Sequence, residues 1–157
     1  MSVPHIPFPQ RKQIPHGVLY LDSQPTVIFD TVCTRNRRPW LDNHDVHVLL
    51  RQVWSQASLW LVGRYVIMPD HIHIFAAATA DAIGFENWCR YWKSQFSKHH
   101  RNSLHRWQED HWDTRIQGRQ QYEEKWHYVR DNPVRAGLVG RAEDWPFQGI
   151  LHPFVWD

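Results

Sequence analysis

Between Leu59 and Ala78 two β-prone apolar runs, LWLVGRYVIM and HIHIFAAA, flank the dipeptide Pro69-Asp70. Each run has the length of a strand, and so short a connection joins only antiparallel neighbours, so the pair predicts a hairpin. The second run opens with His71 and His73. On a strand, residues two apart project from one face, so both imidazoles share a side while Ile72 and Ile74 take the other.

The remaining segments fit around that hairpin. Thr26 to Thr34, TVIFDTVCT, is β-branched and apolar and predicts a first strand that runs into the basic loop Arg35-Asn36-Arg37-Arg38. Asp42 or Asn43 can cap a helix over Asp45 to Ala57, in which Val46, Leu49, Leu50, Val53 and Trp54 recur at helical spacing. A second helix is expected over Phe85 to His100, with Phe85, Trp88, Trp92, Gln95 and Phe96 inward and Arg90, Lys93 and Lys98 outward. WQEDHWDTRI predicts a short fourth strand ending near Ile116, and a polar helix from about Gln120 should stop at Asn132 because Pro133 follows. The order is βαββαβ with an additional C-terminal helix. It suits an α+β, ferredoxin-like antiparallel sheet with helices on one face.

At 157 residues, one core is expected. Residues 1–25, rich in proline, read as an extended arm, 26–147 as the domain and 148–157 as a tail. No apolar run approaches the ~18 residues of a membrane span, and no secretory signal pattern opens the chain, so a cytoplasmic protein is expected. Cys33 and Cys89 lack the spacing of a disulfide framework or zinc knuckle and read as buried apolar residues. A net charge of +2 allows a polyanionic partner without requiring one. Most of the ten tryptophans should be core, leaving a few that can stack on unpaired bases.

With twelve histidines in the chain, a His-x-His pair arises easily by chance. Two histidines on an apolar strand nevertheless need partners to offset desolvation, and hydrogen-bonded structural histidines and metal or catalytic ones both satisfy that need. Tyr128 and Asn132, four apart, would be neighbours on one helix face, either as packing residue and helix stop or as hydroxyl and amide of a common site. Two imidazoles and an amide oxygen make an incomplete set around a divalent ion, which leaves positions for phosphate oxygens. A tyrosine oxygen attacking a phosphodiester stores the bond energy in a phosphotyrosine link, so resealing needs no nucleotide. Phosphate-binding loops, dinucleotide fingerprints and Gly-x-Ser-x-Gly elbows are absent from the sequence.

The stretches YVIMPDHIHIF, Tyr65 to Phe75, and YVRDNPVRAGLV, Tyr128 to Val139, together resemble the REP-associated tyrosine transposases, single-tyrosine members of the HUH nuclease superfamily. The likeness runs from about Thr26 to Phe147 and includes RWQEDHWDTRI and EDWPF, whereas PTVIFDTVCTRNRR departs from the histidine- and glycine-rich opening common in relatives. The resemblance implies His71, His73 and Asn132 as ligands of Mg2+ or Mn2+ and Tyr128 as nucleophile. It further implies 5′-phosphotyrosine chemistry on single-stranded DNA hairpins, by a monomer or homodimer. Arg35, Arg37, Arg38, Lys93, Lys98, Arg101 and Arg135 are expected to contact the DNA backbone. Two other enzymes of the superfamily, replication initiators and relaxases, share the histidine strand and the tyrosine but are usually longer. A host-retained hairpin binder that no longer cuts would not need all four site residues. A ferredoxin-like RNA-binding module would carry an aromatic signature that this chain lacks.

Overall fold

The computed structural model describes residues 18–22 and 25–156. In chain order its elements are β1 (Leu19–Tyr20), β2 (Val27–Cys33), α1 (His44–Gln56), β3 (Trp60–Ile67), β4 (His71–Ala78), α2 (Phe85–His100), β5 (Trp112–Ile116), α3 (Arg119–Arg130), α4 (Asn132–Arg135), β6 (Gln148–Ile150) and β7 (Phe154–Val155). The main sheet has five strands in the order β5-β2-β4-β3-β6, and every neighbouring pair is antiparallel. From β2 to β5 the chain follows βαββαβ, with the order of a ferredoxin-like sheet.

Local chemistry accounts for the first two helices. The Asn43 side chain accepts a hydrogen bond from the Val46 amide at 3.0 Å and so caps α1, whose buried stripe is Val46, Leu49, Leu50, Val53 and Trp54. α2 ends at Arg101, a left-handed residue (φ 57) whose amide donates to the Ser97 carbonyl. Both helices cover one side of the sheet, where Ile28, Val32, Ile72, Ile74 and Ala76 meet Trp54, Trp88, Trp92 and Phe96.

The helices are not confined to that side, as the sequence pattern suggested. α3 packs on the opposite face, setting Tyr122, Trp126 and Val129 against Phe29, Val66, Phe75, Ala77 and Ile116. The reason lies in β3 and β4, which are apolar on both faces, so each face needs a cover. Nor is the segment from residue 148 onward a separate tail. β6 adds the outer strand beside β3, and β7 pairs in parallel with β1, the part of the N-terminal arm that is described, while 1–17 lie outside the described residues. Phe154 lies so close over Gly63 that a Cβ there would fall 2.7 Å from its ring, at the point where the β3–β4 register shifts between Val62 and Tyr65.

The last helix also differs from the pattern. α3 stops at Arg130, and Asn132 opens the separate one-turn helix α4. Pro133 has no N–H to continue the α3 ladder, but it is tolerated in the first turn of a new helix. Tyr128 and Asn132 therefore sit on consecutive helices rather than on one face of a single helix.

Trp92 is fully buried, with its ring edge-on to Trp54 and Trp107. Trp92→Ala should lower stability by about 3–5 kcal/mol, as read from a denaturant titration.

Candidate functional site

The alternation along β4 sends His71 and His73 to the α3 side of the sheet, in line with Phe75 and Ala77. There the Asn132 carboxamide meets both rings, its Nδ2 lying 3.3 Å from His71 Nε2 and 3.0 Å from His73 Nε2. Three side chains from two distant parts of the sequence thus converge on one point.

The outer nitrogens fix the state of each ring. His71 Nδ1 lies 2.7 Å from Asp70 Oδ1, and a carboxylate only accepts, so Nδ1 carries the proton and the Nε2 lone pair faces Asn132. Burial holds His71 below the usual histidine range, although Asp70 opposes that shift. His73 is lowered further, to about 3, by burial and then by the neighbouring His71. It is therefore neutral, accepting from Asn132 at Nε2 and donating from Nδ1 to Thr31 Oγ1 at 2.9 Å. Both imidazoles are thus held as neutral rings with inward lone pairs, the form that a metal ion requires. With an amide that can offer its oxygen, the donor set fits a divalent metal ion.

Asp70 and Thr31 are site residues that sequence reasoning missed. Asp70 reads as a turn residue, yet a carboxylate beside a candidate ligand histidine is itself a signal, because ligand histidines commonly donate their other N–H to one. Thr31 reaches His73 only through the β2–β4 register, which pairs the two and has no sequence signature. Asp70 is in turn held by Arg37, whose Nε donates to Oδ2 at 2.9 Å. The turn that delivers Arg37 has two successive left-handed residues, Asn36 (φ 59) and Arg37 (φ 54), a conformation that non-glycine residues adopt only at a cost.

Tyr128 is 65% exposed on the last turn of α3, and the Arg135 guanidinium lies 4.1 Å from its ring centre. Arg35 and Arg38 are exposed on the loop that carries Arg37, at the edge of the histidine site. Lys98 and Arg101 are exposed too, but belong to the end of the helix that covers the other face. Lys93 departs from expectation. It is buried, with Nζ 3.3 Å from the Gln108 carbonyl, because α2 turns that position toward the carboxylate of Asp30 rather than to solvent.

A second polar group, Asp30, Cys89 and His111, has potential metal-ligand atoms within 4.8 Å of one another. It lies across the sheet from His71 and His73, since Asp30 alternates with Phe29 and Thr31. His111 Nδ1 is 2.9 Å from Asp30 Oδ1 and its Nε2 is 2.6 Å from Glu86 Oε2. Burial alone would lower the His111 pKa, but these two carboxylates raise it. Both ring nitrogens donate, so an ion there would first have to displace a proton. As it stands the group is an ion network tying α2 and the start of β5 to β2.

The fold and this site define an α+β, ferredoxin-like protein with a neutral histidine pair and a carboxamide just beyond the helix that bears an exposed tyrosine. No family model matches the chain. It is 27% identical over 137 residues to the REP-associated tyrosine transposase of Escherichia coli K12, which covers 82% of each chain. Its fold matches the structure of a REP-associated tyrosine transposase bound to a REP hairpin with a TM-score of 0.70 and 25% identity, over 91% of this chain and 82% of that one. It matches a transposase-like structure from Deinococcus radiodurans R1 with a TM-score of 0.50 and 14% identity, over 76% of this chain and 97% of that one, a likeness of fold alone. The chain is thus similar, in sequence and in fold, to the REP-associated tyrosine transposases. Among the described residues no helix is long and apolar enough to cross a membrane.

Because folded His73 binds its proton only near pH 3, whereas an unfolded histidine does so near ~6.5, the unfolded state takes up the extra proton between these limits. Stability should therefore decline as pH falls through that window. Denaturation midpoints across the range should show a shallower decline in His73→Gln.

Proposed function

We propose that the protein is a metal-dependent single-strand DNA transposase that cuts and rejoins DNA at hairpin-forming repeats through a 5′-phosphotyrosine link on Tyr128. The observation that carries this reading is the convergence of His71 Nε2, His73 Nε2 and the Asn132 carboxamide beside the last turn of α3, which bears the exposed tyrosine. The kinship with a transposase whose solved structure holds a REP hairpin supplies the class of substrate.

In this reading His71, His73 and Asn132 hold Mg2+ or Mn2+, which when bound neutralises the non-bridging oxygens of the scissile phosphate. Asp70 and Thr31 keep the two rings in the required tautomer, and Arg37 keeps Asp70 in place. The Tyr128 oxygen forms a bond to phosphorus while the bond to the departing 3′ oxygen breaks. The phenol loses its proton, the 3′ oxygen gains one, and the 5′ phosphate stays on the enzyme. Attack of a 3′-hydroxyl on that link reverses the step and rejoins DNA without a nucleotide cofactor. Arg135, stacked on the tyrosine ring, and the exposed Arg35 and Arg38 hold backbone phosphates without reading sequence.

The leading alternative is a protein that binds hairpins without cutting, and one experiment separates the two. The wild-type chain is mixed with single-stranded oligonucleotides from the repeats that flank its gene, with Mn2+ or Mg2+, and run on a denaturing gel. A metal-dependent covalent band should form and be absent in Tyr128→Phe; tight binding by the wild type with no band would establish the non-cutting alternative. Asp70→Asn should weaken Mn2+ binding by roughly 10- to 100-fold in calorimetry while leaving the fold intact, the usual cost of losing a partner of a ligand histidine.

A further inference from the structure

The uninterrupted registers of β2 with β4 and β5 place Trp112, Thr31 and His73 in one row across the sheet. Alternation puts all three on the α3 side, as the burial of Ile116, Phe29 and Phe75 beneath α3 shows for the neighbouring positions of the same strands. α3 covers only one end of that face. Along β5 the exposure rises from 2% at Ile116 to 59% at Trp112, with Thr114 also exposed between them. Each strand step is about 4.8 Å, so the Trp112 and His73 backbones are ~10 Å apart, with only the small Thr31 side chain between them.

Among the described residues Trp112 is the one exposed tryptophan, and no aromatic ring lies against it. On the same face the Lys125 ammonium lies 5.2 Å from the centre of the Phe29 ring, and Phe29 pairs with Thr114, two residues along β5 from Trp112. A flat, exposed indole on the same sheet face as a cation, in line with a candidate phosphate-processing site, has the chemistry of a single-stranded nucleic-acid track: the ring takes a base face and the cation a phosphate.

We propose that Trp112 forms a stacking subsite for an unpaired nucleobase of the strand being cut, near the phosphate at His73, with Lys125 on the backbone beside it. The subsite rests on the reading of the protein as a single-strand DNA transposase. It selects for unpaired DNA at this position rather than for a base sequence, because every base has a face to stack and a base paired in a duplex does not expose one.

The test uses the full chain carrying Tyr128→Phe, so that binding is measured without cleavage, and two probes from the repeats flanking the gene. One is the bare hairpin, and the other is the same hairpin with a short single-stranded extension bearing 2-aminopurine at each position in turn. Trp112→Ala should weaken binding of the extended probe roughly tenfold, leave the bare hairpin unchanged, and abolish the quenching of 2-aminopurine at one position. Trp112→Phe should restore most of both signals. Equal affinity of wild type and Trp112→Ala for the extended probe, or equal losses on both probes, would overturn the subsite while leaving the transposase reading in place. A change in oligomeric state on Trp112→Ala without loss of quenching would assign the indole to a protein contact instead. Failure of both probes to bind at all would remove the transposase reading and the subsite with it.

Discussion

The alternation of side chains along β4 is the constraint on which the rest depends. Ile72, Ile74 and Ala76 close the core beneath α1 and α2, while His71, His73, Phe75 and Ala77 face α3. A shift of one residue in the register would drive two imidazoles into a dry aromatic core and turn the isoleucines outward. The hydrophobic effect that buries one face of the strand therefore also aims the histidines of the other. Packing and chemistry share a single determinant, and that is why the site sits on the centre of the sheet rather than on a loop.

A site built in this way has to satisfy the four nitrogens of two half-buried rings, and the structure does so with three side chains. Asp70 and Thr31 take the outer nitrogens, and Asn132 donates to both inner ones. The carboxamide suits this double role because it offers a donor to free imidazoles and an acceptor oxygen to a cation. Arg37 extends the chain of contacts to a loop with two left-handed residues, so part of the cost of ordering the site is held in backbone conformation away from it. The mirror case lies across the same sheet, where His111 is clamped between Asp30 and Glu86 and keeps its proton. Two histidines close to one sheet thus take opposite charge states, set by whether burial or carboxylates dominate.

α3 and α4 show how a local rule repositions a functional residue. Pro133 ends one helix and is accommodated at the start of the next, and the break lets Asn132 face the histidines while Tyr128 remains exposed. An unbroken helix would have kept tyrosine and asparagine on one stripe, where both face the sheet or neither does. The same helix leaves the β5 edge of its face uncovered, so the open strip ending at Trp112 follows from where α3 lies.

Much of this was legible in the chain. The two apolar runs around Pro69-Asp70, the capped stripe of α1, the inward face of α2 and the pairing of His71 with His73 all follow from local periodicity, since 2.0- and 3.6-residue repeats are written in the order of residues. The second face of the sheet was not, because α3 alone does not say which side it covers, and a strand that is apolar throughout gives no preferred face. Lys93 reads as an outer-face cation, but it is buried toward the Asp30 carboxylate and the Gln108 carbonyl, neither of which is on its own helix. Thr31, Asp70 and Trp112 acquire their places through strand register and loop contacts, which join residues dozens of positions apart. Sequence by itself determined the elements from β2 to β5 and the histidine pair, because these depend on near neighbours; tertiary structure decided the partners of the histidines and the open side of the site, because those depend on which strands lie side by side.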